Sequence, residues 1–231
     1  MPVTKLGERG DFPAVERAGR GGLLAFGGDL SPRRLLRAYG RGIFPWYEEG
    51  QPILWWSPAP RCVLFPREYH AGASLKKVLR RNDFSFTFDQ AFALVIEACA
   101  LPRPGQPGTW ITPNMREAYI GLHRRGYAHS LEAWRGGELA GGLYGVSLGC
   151  CFFAESMFHF ERNASKAALA VLAATLARIE FAVIDCQLPA PHLAAWGARC
   201  IPRRRYLELV RAGLRYRTLR GNWGELPLRS R

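Results

Sequence analysis

From about residue 61 the apolar positions switch repeatedly between a period of two and a period near 3.6, as in strands alternating with helices. Cys62–Phe65 reads as a strand. Ser74 opens a helix through Arg81, and Phe84–Phe88 alternates as a second strand. Asp89 is placed to cap the next helix, in which Phe92, Val95, Ile96 and Cys99 fall at helical spacing. Residues 101–110 hold too much proline for either element, and 113–125 follows as a helix with Met115, Tyr119 and Leu122 on one face. Residues 129–134 and 138–146 read as strands joined at Arg135-Gly136-Gly137, a hairpin signal. A second turn near Ser147-Leu148-Gly149 leads into the strand 150–156. A helix starting near Asn163 carries the stripe Ala164, Ala167, Ala168, Val171, Leu172, Leu176 and Ile179, and the strand 181–187 closes the series.

Residues 1–60 have a different grammar, rich in glycine, proline and aromatics, with one short helix expected from the Ser31 cap and Pro32 through Tyr39. The expected organisation is an α/β (α+β) chain with a small irregular N-terminal domain (1–60) and a larger domain (61–231) ending in a basic tail. A three-strand meander, a helix and a returning strand is the core order of the GCN5-related N-acetyltransferase fold, a likeness of architecture that leaves substrate open.

Composition narrows the setting. The chain is 48% hydrophobic, without a run of about 18 apolar residues or an apolar N-terminal leader, so a soluble cytoplasmic protein is expected. Six cysteines (62, 99, 150, 151, 186, 200) make no C-x-x-C pair, and with no zinc-like Cys/His spacing they read as buried reduced thiols. Cys150 and Cys151 are expected on opposite faces of a strand. The net charge is +13, and residues 199–231 carry ten arginines against Glu208 and Glu225. Such a block favours a polyanion, nucleic acid before membrane, and Arg203, Arg204 and Arg205 are the first candidates for phosphate contacts. The plainer reading is a solvated surface in a chain that uses arginine throughout.

Candidate chemistry gathers at three places. Asp185 and Gln187 end an apolar strand on one face, where they can position an amine or simply tie down a loop. Glu155 closes the preceding strand beside Met157 and Phe158, which can line an apolar pocket. No G-x-S-x-G elbow is present. The turn Glu161–Ala167 contains no glycine, so a coenzyme A pyrophosphate has no natural backbone cradle before the central helix. On the residues alone an acetyl-CoA-dependent acyltransferase and a non-catalytic RNA-binding module both stay open.

Read in order, GGDLSP, GIFPWY, PILWWSPAPR, GTWIT, AYIGLHRRGYAHSLEAW, GGLYGV, ESMF, ASKAAL, IDCQ and IPRR run from about residue 22 to 206 and resemble the leucyl/phenylalanyl-tRNA–protein transferases. That resemblance implies transfer of Leu, Phe and, less efficiently, Met from aminoacyl-tRNA to proteins beginning with Arg or Lys. The product is a destabilising N-terminus read in N-degron degradation. It implies no metal and no cofactor, and a monomer is expected. Carried onto this sequence, Asp185 and Gln187 match the polar pair of I-D-C-Q, positioning the attacking amine with Glu155 in support. Trp46 and Trp110 are expected to stack on the terminal adenosine. Leu143, Met157, Leu169, Leu172, Leu176 and Ile184 are expected to wall the donor side-chain pocket, and Glu155 or Asp185 to meet the acceptor's basic side chain. The chain departs from the family pattern at Ala154, at Ala195-Trp196-Gly197-Ala198 and at Leu172 and Leu176, where donor preference can shift.

Overall fold

The computed structural model describes residues 3–7, 10–102 and 109–225. The central part of the proline-rich 101–110 segment and the last two arginines of the tail lie outside the described residues.

The glycine-rich first sixty residues form more regular structure than their composition suggests. Strands β1 (Thr4–Leu6), β2 (Leu23–Gly27), β3 (Phe44–Pro45) and β4 (Leu54–Trp56) make a four-stranded sheet in the order β1-β2-β4-β3. The strands are short, and the buried Trp55 anchors them by donating its indole N–H to the Gly27 carbonyl at 2.9 Å. Helix α1 (Pro32–Tyr39) starts as the sequence predicts, with Pro32 in its first turn and the Ser31 hydroxyl accepting from the Arg34 N–H.

The second sheet has seven strands: β5 (Arg61–Leu64), β6 (Ser85–Phe88), β7 (Ala128–Arg135), β8 (Glu138–Leu148), β9 (Cys151–His159), β10 (Val183–Gln187) and β11 (Arg199–Ile201). Their order is β11-β5-β10-β9-β8-β7-β6. β7, β8 and β9 form the expected antiparallel meander, and β10 returns parallel to β9 after helix α5 (Ala164–Arg178), the acetyltransferase-like core order. The other helices are α2 (Ala73–Arg80), α3 (Phe92–Ala100), α4 (Pro113–Arg124), α6 (Pro191–Ala194) and α7 (Arg203–Gly213).

Apolar side chains cover both faces of this sheet. On one face the core runs from Leu35, Tyr39 and Trp55 of the N-terminal segment into Val95, Met115 and Tyr119 and on to Tyr206 and Val210 of α7. On the other, α5 packs through Ala164, Ala168 and Leu172. A Cβ at Gly141 of β8 would lie 2.7 Å from the Ala164 methyl, so the close seating of α5 requires glycine there.

Three expectations fail locally. Asp89 does not cap α3, whose N-cap is Ala91. It takes a left-handed conformation (φ 57) and turns inward to accept from the His129 ring and the Trp223 backbone N–H. Cys150 sits in the turn before β9, so strand alternation does not govern it, and Cys200 is exposed on edge strand β11 instead of buried. The described part of the basic tail, to residue 225, is docked through α7 and by Trp223, which is 1% exposed. Among the described residues no helix is long and apolar enough to cross a membrane.

Candidate active site

β9 and β10 pair from Val183–Cys151 to Asp185–Phe153 and then part. Each strand is irregular at that point. β9 slips against β8 between Tyr144 and Gly145, and β10 slips against β5 between Asp185 and Gln187. Such bulges bend a strand and re-aim its side chains. Gln187 takes the left-handed conformation (φ 56), and the Leu188 N–H donates to the Cys186 carbonyl at 2.7 Å, closing a tight turn about it. A non-glycine residue held this way is strained and depends on its surroundings.

The parting opens a cleft of about 410 Å³, within the range of small-molecule sites. Its apolar part is lined by Leu143, Met157, Leu169 and Leu193, and its aromatic part by Phe44, Trp46 and Trp110. Glu155, Ser156 and Gln187 supply the polar groups. The Gln187 amide N–H donates to Glu155 Oε1 at 3.2 Å, and the Tyr119 hydroxyl donates to Glu155 Oε2 at 2.8 Å. The Tyr39 hydroxyl contacts that of Tyr119 in turn. Burial pushes the Glu155 carboxyl up to about 7, although the tyrosine hydroxyls pull it down. An ionised carboxylate can only accept, so it fixes the Gln187 NH₂ toward itself and leaves the amide oxygen to accept an N–H.

Asp185 lies behind this surface and does not line the cleft. It is fully buried, with Oδ1 accepting from Arg61 Nε at 2.8 Å and Oδ2 from Arg61 Nη2 at 2.7 Å. The Tyr206 hydroxyl donates to Oδ2 at 2.7 Å, and the Gln187 backbone N–H donates to Oδ1 at 3.0 Å. Arg61 also reaches the Gly42 carbonyl at 3.3 Å and lies over the rings of Phe44 and Tyr206 at 4.8 and 4.6 Å. One buried ion pair thus joins β10, β5, α7 and the loop before β3, and it fixes the turn that aims Gln187.

Two family models match the chain. One, described as leucyl/phenylalanyl-tRNA protein transferase, covers residues 63–211, and one for the N-terminal domain of the same proteins covers 28–59. The chain belongs to the leucyl/phenylalanyl-tRNA protein transferase family. Curated relatives named leucyl/phenylalanyl-tRNA–protein transferase include that of Syntrophus aciditrophicus, 57% identical over 98% of this chain and 95% of the relative. Another, from Azotobacter vinelandii, is 58% identical over 86% and 89%, and one from Myxococcus xanthus is 52% identical over 97% of each. Among solved structures, that of L-PGS from Bacillus licheniformis aligns at a TM-score of 0.39 and 10% identity, over 87% of this chain and 66% of the other.

Against the residues singled out by this family resemblance, the structure divides the candidates. Glu155, Gln187, Trp46, Trp110, Leu143, Met157 and Leu169 line one cleft. Leu172, Leu176 and Ile184 do not; they are at most 1% exposed, in the core behind it. The helical stripe marks what α5 buries without separating the turn that meets the cleft from the turns that meet the sheet. Asp185 is committed to Arg61 and is not available to an acceptor side chain. Arg203 is bonded to the Ser57 carbonyl, while Arg204 and Arg205 pair with Glu208 on the outer face of α7.

Sequence reasoning missed Arg61, Tyr206, Tyr39 and Tyr119. Arg61 stands inside PILWWSPAPR and Tyr119 inside AYIGLHRRGYAHSLEAW, but nothing local pairs them with residues 124 and 36 positions away.

The wall assignment yields a direct comparison. Leu169→Phe should shrink the slot and depress transfer of Phe about tenfold more than transfer of Leu, since a methylene or two is worth roughly 1–3 kcal/mol of discrimination. Leu176→Phe should instead overpack the core, costing about 1–3 kcal/mol of stability with both donors affected alike. Competitive transfer assays with the two charged tRNAs, beside thermal melts, check both; a donor-selective Leu176→Phe would return that residue to the wall.

Proposed function

We propose that the protein transfers leucine or phenylalanine from aminoacyl-tRNA to the N-terminal α-amine of an acceptor protein, and that the cleft between β9 and β10 is where the two meet. The observation that carries this reading is the Glu155–Gln187 pair, a carboxylate poised near neutrality that orients an amide acceptor beside an apolar slot. The donor side chain enters the slot of Leu143, Met157 and Leu169, and the terminal adenosine stacks on Trp46 and Trp110, worth on the order of 1–3 kcal/mol per base.

The Gln187 amide oxygen holds the acceptor amine against the ester carbonyl. As the amine attacks, Glu155 takes its proton; the carbon–oxygen bond to the ribose then breaks, and the proton passes to the leaving oxygen. Asp185 touches neither substrate and acts as a positioning residue through the Gln187 backbone. Methionine is a weaker donor in this reading, because an unbranched thioether fills the same slot incompletely. Acceptors begin with Arg or Lys, whose cations are drawn to Glu155, the one carboxylate among the described cleft-lining residues. The protein acts as a cytoplasmic monomer whose product is marked for degradation.

The test mixes the purified protein with radiolabelled Leu-tRNA and two peptides differing only in an N-terminal Arg or Ala. Label on the Arg peptide alone is expected. Label on neither, with tRNA still bound, would make the chain an RNA-binding module. Acetyl transfer from acetyl-CoA would establish the other acyltransferase reading.

A further inference from the structure

Beyond the end of β8 lies a second concavity that the transfer chemistry does not use. It is a groove of about 1040 Å³ between the C-terminal turn of α4 and the strap of chain 217–222. Its cationic lining is Arg124 and Arg125 from α4 and its cap, with Arg217 and Arg220 from the strap; no carboxylate stands among its described lining residues. None of the four forms an ion pair with a described residue, whereas Arg204 and Arg205, on the same basic tail, pair with Glu208.

The groove is built. The strap is fastened at both ends, by the Thr218 hydroxyl accepting from the Gly149 N–H at 2.9 Å and by the Trp223 N–H donating to the buried Asp89 carboxylate at 2.8 Å. The Trp223 ring stacks on His129 at 3.8 Å. Arg220 donates to the Arg125 carbonyl and lies over the Tyr127 ring at 4.6 Å, so its guanidinium is held in place. Gly126 lets the strap approach, for a Cβ there would lie 2.3 Å from the Gly221 nitrogen. A buried carboxylate, a buried tryptophan and a glycine contact all fix a segment whose outward groups are arginines. A merely solvated tail needs none of them.

We propose that this groove binds the phosphodiester backbone of the donor tRNA as a second contact, separate from the cleft that holds the aminoacyl end. Arginine forks suit phosphate oxygens, and pre-fixed guanidiniums lose little freedom on binding. Leu143 in the cleft and Ser147, whose N–H bonds the Tyr127 carbonyl at the groove's edge, lie about 13 Å apart along β8. A tRNA is long enough to reach both together. The assignment of the RNA rests on the transferase reading; the groove's anion chemistry does not. It moves the phosphate contact expected of Arg203, Arg204 and Arg205 to the next part of the same tail.

The test uses the full chain with Arg124→Gln and Arg217→Gln combined, two exposed residues that leave the Arg220 anchor alone. Anisotropy with fluorescein-labelled, deacylated leucine tRNA should show binding several-fold weaker at about 0.1 M salt. The salt dependence should flatten by about one unit per arginine lost. In transfer assays the variant's KM for Leu-tRNA should rise with kcat unchanged, while transfer from a minimal donor, the leucyl ester of a short CCA-ended oligonucleotide, stays the same. An unchanged tRNA affinity and salt slope would overturn the proposal, and so would an equal loss with the minimal donor, which would place the effect in the cleft. Loss of binding to phosphatidylglycerol vesicles with tRNA binding intact would assign the groove to a membrane and overturn it too. If the unaltered protein transfers from neither donor yet binds tRNA through these arginines, the groove stands and the transferase reading falls.

Discussion

Asp185→Ala is expected to lower the stability of the protein by about 3–5 kcal/mol, the usual cost of removing one partner of a buried ion pair. For a chain of this size, at about 2 °C per kcal/mol, that is a fall of roughly 6–10 °C in Tm. Arg61, 1% exposed, would be left with its charge unmatched, and the Tyr206 hydroxyl and the Gln187 N–H would lose their acceptor. Transfer should be lost as well, because the turn at Gln187 is held by that carboxylate. Asp185→Asn keeps the shape but leaves the Arg61 charge uncompensated, and should fall between the two. Replacing Arg61 and Asp185 together by apolar residues of similar volume should recover most of the stability and none of the transfer. Urea unfolding read beside single-turnover rates separates these effects. An Asp185→Ala protein that melts like the original yet fails to transfer would mean that the carboxylate meets substrate after all.

Glu155→Gln should reduce transfer about a hundredfold, a typical loss for a positioned proton acceptor. It should also change the shape of the pH profile. With a folded pKa of about 7, Glu155 gains its negative charge as pH rises through neutrality, so kcat/KM of the unaltered protein should climb with an inflection near 7. The acceptor α-amine, with an ordinary pKa of about 8, contributes its own inflection in kcat/KM, which persists in the variant. Stability should move the opposite way. The folded pKa lies above the unfolded one, so the contribution of Glu155 is fully present below about 4.5 and is lost as pH rises through 7. Relative to Glu155→Gln, the unaltered protein should therefore lose on the order of 2 kcal/mol between pH 5 and pH 8. Melting curves of both proteins across that range check the sign. Parallel curves would mean that Glu155 titrates as an ordinary exposed acid.

These outcomes turn on contacts that no short stretch of sequence encodes. The meander was legible because its signals are local: Arg135-Gly136-Gly137 makes the turn between β7 and β8, and alternation makes the strands. Glu155 and Gln187 could be found because the core order brings their strands side by side, although Glu155 does not close its strand as expected: β9 runs on to His159, with Glu155 at its bulge. The surroundings of Asp185 could not, since its partner Arg61 lies 124 residues earlier and Tyr206 lies 21 later. Asp89 reads as a helix cap from its neighbours, yet its conformation is set by His129 and Trp223, 40 and 134 positions on. Alternation predicted that Asp185 and Gln187 share a face but not the bulge between them, which leaves one in the core and the other in the cleft. On α5 the period distinguished buried from exposed, and only the packed sheet shows that Leu169 reaches the cleft while Leu176 does not.

The two matched family regions end at residue 59 and begin at residue 63, and Arg61 falls between them. That arginine grips Gly42 on one side and Asp185 on the other, while Phe44, under its guanidinium, lines the cleft. The halves are therefore not interchangeable modules. A chimaera joining the first sixty residues of one relative to the remainder of another would inherit both pieces intact, and still assemble a working cleft only where the two sides of this junction match.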